Sequence, residues 1–132
     1  MDDLYREYIL EHYKHPHNHG TLENPTISQE ELNPLCGDRI RIDLLIADDV
    51  IQEVRFSGRG CAISQASASI LTDEIKGKPV EEVKAFSKDE LLELIGIPLA
   101  QNPVRLKCAL LSLKALKAGL YGVGHLHDDD LD

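Results

Sequence analysis

The chain reads as an α+β domain, with one amphipathic helix, a small antiparallel sheet and then a run of helices. Two observations predict this. Apolar residues follow a helical period at both ends of the chain and a two-residue period between Arg39 and Ile46. The link between the two clearest strands, Ala47-Asp48-Asp49, is also far too short for a parallel crossover. With 132 residues and 42% hydrophobic residues, the sequence suffices for one domain with a core.

The first helix is expected over Asp2 to Lys14, where Leu4, Tyr5, Tyr8, Ile9, His12 and Tyr13 form one stripe. His15-Pro16 ends it, because proline disfavours a helical residue before it. The polar stretch from His15 to Glu31 reads as loop, with a short edge strand near Thr26-Ile27-Ser28. In the strand that follows, Ile40, Ile42 and Leu44 alternate with Arg39, Arg41 and Asp43, so one face should be wet. Val50 to Phe56 returns as its hairpin partner.

After Gly58-Arg59-Gly60-Cys61 the period changes. Ile63, Ala66, Ile70, Leu71 and Ile75 share a helical face, and Gly77 stands where a left-handed C-cap belongs. A short helix with Pro79 in its first turn is expected next, and then a helix opened by the capping box Ser87-Lys88-Asp89-Glu90. Asn102 caps a last helix, with Pro103 in its first turn, running to about Leu120; Gly119, Gly122 and Gly124 let it fray. One domain over 1–124 and a disordered acidic tail over 125–132 complete the expected organisation.

The formal charge of −9, from 23 acidic and 14 basic residues, argues against nucleic acid as a partner, since that needs clustered cations. No long apolar run or signal-like segment is seen, so no membrane partner is expected. Three cysteines cannot all pair, and the expected compartment is a reducing cytoplasm. Cys36, Cys61 and Cys108 are spaced by 25 (36 to 61) and 47 (61 to 108) residues, which excludes a zinc ribbon with its close pairs. Each sits where an element begins or ends, so tertiary structure would have to gather them, with Asp38 offering an oxygen beside the sulfurs.

Cys61 opens a helix, whose N-terminal amides favour a thiolate, and Cys108 has Lys107 and Arg105 nearby. Taken singly, each cysteine is more readily a small core hydrophobe, Cys108 above all, beside Val104 and Leu111. Other groups carry less. His15, His17 and His19 in a loop read as solvated, Gly58-Arg59-Gly60 lacks the lysine and hydroxyl of a P-loop, and Ser64, Ser67 and Ser69 read as a close-packed helix face.

The motifs around the cysteines decide between these readings. Cys36-Gly37-Asp38, the run from Phe56-Ser57-Gly58-Arg59-Gly60-Cys61 to Ser69, and Val104-Arg105-Leu106-Lys107-Cys108-Ala109 together resemble the IscU, SufU and NifU N-terminal family of iron–sulfur cluster scaffolds. The opening from Tyr8 to Gly20 resembles that family's first helix and loop. The resemblance spans about Leu4 to Leu120 and implies a three-stranded antiparallel sheet packed against helices. Carried over position by position, the family's metal and cluster ligands fall on Cys36, Asp38, Cys61 and Cys108.

What the resemblance implies is a non-enzymatic scaffold that takes sulfur from a cysteine desulfurase, holds iron as a transient [2Fe–2S] cluster and passes it to apo-proteins. The alternative is a SufU-like, zinc-dependent sulfur acceptor with sulfurtransferase activity, holding Zn²⁺ as isolated; a purely structural zinc domain is the third reading. Lys107, where the IscU branch has histidine, resembles SufU, whereas the short interval between Cys61 and Cys108 resembles IscU. Cys36, beside Gly37, is the expected persulfide acceptor, and Lys107 the expected counter-ion. The stretch by which an Hsp70-type chaperone recognises IscU reads Gln101-Asn102-Pro103-Val104-Arg105 here, which counts against that partner.

Overall fold

The computed structural model describes residues 3–34, 37–96 and 102–122. Cys36 and the expected tail over 125–132 lie outside the described residues. In chain order the elements are α1 (Asp3–Lys14), β1 (Ile27–Asn33), β2 (Asp38–Ala47), β3 (Val50–Arg59), α2 (Ala62–Ile75), α3 (Val80–Lys84), α4 (Lys88–Ile95) and α5 (Pro103–Tyr121). The three strands form one antiparallel sheet in the order β1-β2-β3. The α+β expectation therefore holds among the described residues.

Opposed residues of an antiparallel pair share a sheet face, so the register defines the core side. Ile42 lies opposite both Gln29 and Phe56, and Leu44 opposite both Ile27 and Val54. Ile40, Ile42, Leu44, Val54 and Phe56 on that face are fully buried. α2 and α5 cover it and pack on each other, and α1 packs on α2. Ser67 ties the two central helices, its hydroxyl donating to the Ala109 carbonyl at 2.6 Å.

The hairpin turn is carried by Asp48 and Asp49, both left-handed at φ 54° and 62°. That double positive φ suits the twist of a two-residue hairpin loop. Ser87 caps α4 by accepting from the Glu90 amide, and Asn102 caps α5 by accepting from the Arg105 amide, as their sequences predict.

Several expectations are corrected. The edge strand is longer than Thr26 to Ser28, because Gln29 and Glu31 turn inward beneath α5 instead of forming loop. Asp43 does not lie on a wet face: it is buried, accepting from Ser28, Arg41 and the Leu22 amide. Of the α1 stripe, Ile9 and His12 are buried while Tyr8 and Tyr13 are exposed; the side chains of Leu4 and Tyr5 lie outside the described residues. Gly77 is left-handed at φ 83°, but its amide donates to Ile51 of β3 rather than closing α2. Pro79 is the N-cap of α3 instead of a first-turn residue. Gly119 does not fray α5. A Cβ there would stand 2.7 Å from Ile27 Cγ2, so it lets the helix approach β1.

Candidate metal centre

Five chain segments end or begin at one rim of the sheet. Asn33 closes β1 and is the register partner of Asp38, which opens β2. The tight link between them is held by the Gly37 amide, which donates to the Asn33 carbonyl at 2.8 Å; Gly37 itself is left-handed at φ 73°. β3 runs out at Arg59, opposite Arg39, so that Gly60 comes to lie beside Asp38. Cys61 is the N-cap of α2, and the first turns of α5 bring Cys108 to the same place.

The result is one compact donor group. A carboxylate oxygen of Asp38 and the sulfurs of Cys61 and Cys108 all lie within 4.8 Å of one another. Asp38 and Cys108 are buried, whereas Cys61 is exposed. The Cys61 side chain makes no capping hydrogen bond to the helix backbone. Ser64 supports it from the next turn: its hydroxyl donates to the Cys61 carbonyl at 3.1 Å and accepts from the Cys61 thiol at 3.9 Å.

The chemistry of this donor set fits a tetrahedral zinc ion or a cluster. Zinc–sulfur bonds of about 2.3 Å and zinc–oxygen bonds of about 2.0 Å put neighbouring ligands roughly 3.5–4 Å apart. The three donors approach that spacing already, so small side-chain movements would close it. Two soft sulfurs with one carboxylate suit zinc, ferrous iron or iron–sulfur clusters rather than magnesium or calcium.

The two cations near Cys108 face different ways. Arg105 lines a cleft of about 260 Å³ with Cys61, Ala62, Ile63, Val104 and Cys108. One water in the liquid occupies about 30 Å³, so the cleft has room for an incoming group beside the sulfurs. Lys107 is exposed and lines a separate hollow with Leu32, Asn33, Pro34, Leu111 and Lys114. Sequence reasoning named both cations but not this division, which follows from where α5 crosses the sheet.

Three further residues make contacts that the sequence did not single out. Asn33 is buried and its amide reaches Cys108 Sγ at 3.8 Å. Gly60 provides the space that Asp38 and Ser64 occupy. His12, buried in α1, contacts Ser69 through Nδ1 at 2.7 Å, and burial together with the nearby His17 lowers its pKa. The loop histidines are exposed as expected for His15, but His17 pairs with Asp73 and donates its amide to Ser69. Beside them, Asn18 and Gly20 bond to Phe56 along the outer edge of β3. Only the register of these segments reveals that docking.

Fold and donor group thus define a small α+β domain that gathers cysteine and aspartate at one sheet rim. Comparison with known proteins gives this class a name. The model of the NifU-like N terminal domain matches residues 4–124, and the chain belongs to that family. It is 42% identical over 135 residues to the zinc-dependent sulfurtransferase SufU of Bacillus subtilis, covering 91% of each chain. It is 35% identical to the iron–sulfur cluster assembly scaffold protein IscU of Streptococcus pyogenes, covering 91% of this chain and 84% of that one. The crystal structure of a nitrogen-fixing NifU-like protein (N-terminal) from Brucella abortus superposes with a TM-score of 0.79 over 92% of this chain and 95% of that chain. At 22% identity this is a likeness of fold alone.

Proposed function

We propose that this protein is an iron–sulfur cluster assembly scaffold. It receives sulfur from a cysteine desulfurase, holds a transient [2Fe–2S] cluster on Cys36, Asp38, Cys61 and Cys108, and passes it to apo-proteins. The observation that carries this reading is the approach of Asp38, Cys61 and Cys108 to within 4.8 Å at one rim. A carboxylate binds a cluster more weakly than a fourth thiolate would, so the ligand set suits cargo that must leave.

Sulfur arrives by exchange. The Cys36 thiolate attacks the outer sulfur of the desulfurase persulfide and forms a new S–S bond. The old S–S bond breaks, its electron pair leaves with the desulfurase thiolate, and the proton stays on the transferred sulfur. Cys36 suits this role because its neighbour Gly37 takes the left-handed backbone that glycine favours. Cys108 is buried on α5, and Cys61 caps α2. Arg105, lining the cleft beside both sulfurs, supplies positive charge near a centre rich in anions, while Lys107, beside Cys108 in sequence, faces the separate hollow.

A second reading has a specific observation in its favour: identity to the Bacillus subtilis SufU, 42%, exceeds the 35% to the Streptococcus pyogenes IscU. In that reading the same four residues hold Zn²⁺, which keeps its ligating thiolates ionised, and the product is a persulfide rather than a cluster. Both readings give the protein a cysteine desulfurase as partner and the cytoplasm as its place. No helix among the described residues is long and apolar enough to cross a membrane.

Anaerobic incubation with a cysteine desulfurase, cysteine and ferrous iron tests the proposal. Visible cluster absorbance that then moves to an apo-ferredoxin supports the scaffold. Retained zinc with one added sulfur on Cys36 and no cluster would assign the carrier instead. Neither cluster nor added sulfur would remove both.

A further inference from the structure

We propose that Asn33 is a positioning residue of this centre. Its side-chain amide holds the Cys108 sulfur through an N–H···S contact and sets the direction and donor strength of that ligand. This rests on reading the rim as a metal and cluster site.

Asn33 lies on the inward face of β1, the face on which Ile40, Ile42 and Leu44 of β2 are buried, and is itself only 5% exposed. A carboxamide in such a place requires polar partners. Its Nδ2 donates to Cys108 Sγ at 3.8 Å, across 75 residues of sequence. Its backbone carbonyl accepts the Gly37 amide, and its register partner is Asp38. One residue therefore touches the buried sulfur, the strand bearing the carboxylate, and the base of the link that carries Cys36.

The two described sulfurs are consequently unlike. Cys108 is buried and receives an amide donor, whereas Cys61 is exposed and its neighbour Ser64 directs its hydroxyl to the Cys61 carbonyl. A donor on a ligating sulfur draws electron density from it and fixes its direction, which is how outer-shell partners tune a metal site. The contact thus distinguishes Cys108, held by an amide donor in the interior, from Cys61 at the exposed start of α2.

The test uses the metal-loaded full chain. In the unmutated protein loaded with ¹¹³Cd, NMR should show the Asn33 side-chain amide proton coupled to the metal through the Cys108 sulfur. In the Co²⁺-loaded protein, Asn33→Ala and Asn33→Asp should move the sulfur-to-cobalt charge-transfer band to longer wavelength. Both should also weaken Zn²⁺ binding in chelator competition by roughly 10–100-fold. Folded variants with an unmoved band would overturn the proposal, as would a bound ¹¹³Cd without that coupling. Weaker binding with an unmoved band would assign Asn33 a packing role only and overturn it too. Should the variants not fold, the ¹¹³Cd coupling decides alone. Failure of the unmutated protein to bind any of these metals would overturn the site reading and this inference with it.

Discussion

Gly60 is pressed against Asp38 so closely that a side chain there has no room: a Cβ would fall 2.8 Å from the Asp38 carboxyl carbon. It would also stand 2.3 Å from Ser64 Oγ. Two short side chains that flank the cysteine sulfurs are thus set by the absence of a third. The Gly60→Ala variant should fold with a loss of about 1–2 kcal/mol, since the obstructing atoms are side chains that can give way. Its Zn²⁺ affinity should fall by roughly tenfold as Asp38 is displaced. Thermal unfolding with and without Zn²⁺ checks both, and a variant with unchanged affinity would separate Gly60 from the centre.

Gly58, two residues earlier, answers to a different constraint. It is left-handed at φ 128°, and a Cβ would lie 2.0 Å from the backbone oxygen of Arg39. Backbone cannot rotate away as a side chain can. Gly58→Ala should therefore cost more than Gly60→Ala, about 3 kcal/mol or more, measured by urea unfolding of the metal-free protein.

Asp43 gives a stability prediction in acid. Burial alone would raise its carboxyl pKa, but hydrogen bonds from Arg41, Ser28 and the Leu22 amide outweigh that and hold it below its ordinary value. A carboxyl with a depressed folded pKa contributes stability that is present above its unfolded value and lost as pH falls through the folded one. Asp43→Ala should cost about 2–3 kcal/mol at pH 7, and the difference from the unmutated protein should shrink in acid. Denaturant titrations at pH 7 and pH 3 compare the two.

His12 predicts a slope nearer neutrality. Burial, with a smaller contribution from His17, lowers its pKa, so the unfolded chain takes up its proton at higher pH than the folded one. The His12 contribution is then full above its ordinary value near 6.5 and is lost as pH falls through the lowered folded value, below which the loss levels off. His12→Gln should flatten the dependence of the melting temperature on pH in that window. An unchanged slope would assign it to other groups.

How far the sequence speaks is clear element by element. The β2–β3 hairpin and the caps at Ser87 and Asn102 depend on neighbouring residues, so local pattern reveals them. β1 was legible only at its start, because Gln29, Glu30 and Glu31 carry no apolar alternation; α5 above them decides which turn inward. The charge of Asp43 hid its burial in the same way. At the centre, the motifs around Cys61 and Cys108 single out the candidate ligands, and Asp38 follows from its tripeptide. Asn33 and Gly60 matter through strand register and a helix crossing, which no local spacing records.

The central claim is that distant cysteines and Asp38 form one ligand shell, and X-ray absorption of the zinc-loaded protein tests it most directly. The account predicts three sulfurs near about 2.3 Å and one oxygen near about 2.0 Å, supplied by Cys36, Cys61, Cys108 and Asp38. Cys61→Ser and Cys108→Ser should each remove one sulfur from that shell. A shell dominated by nitrogen, or one unchanged in either variant, would contradict it.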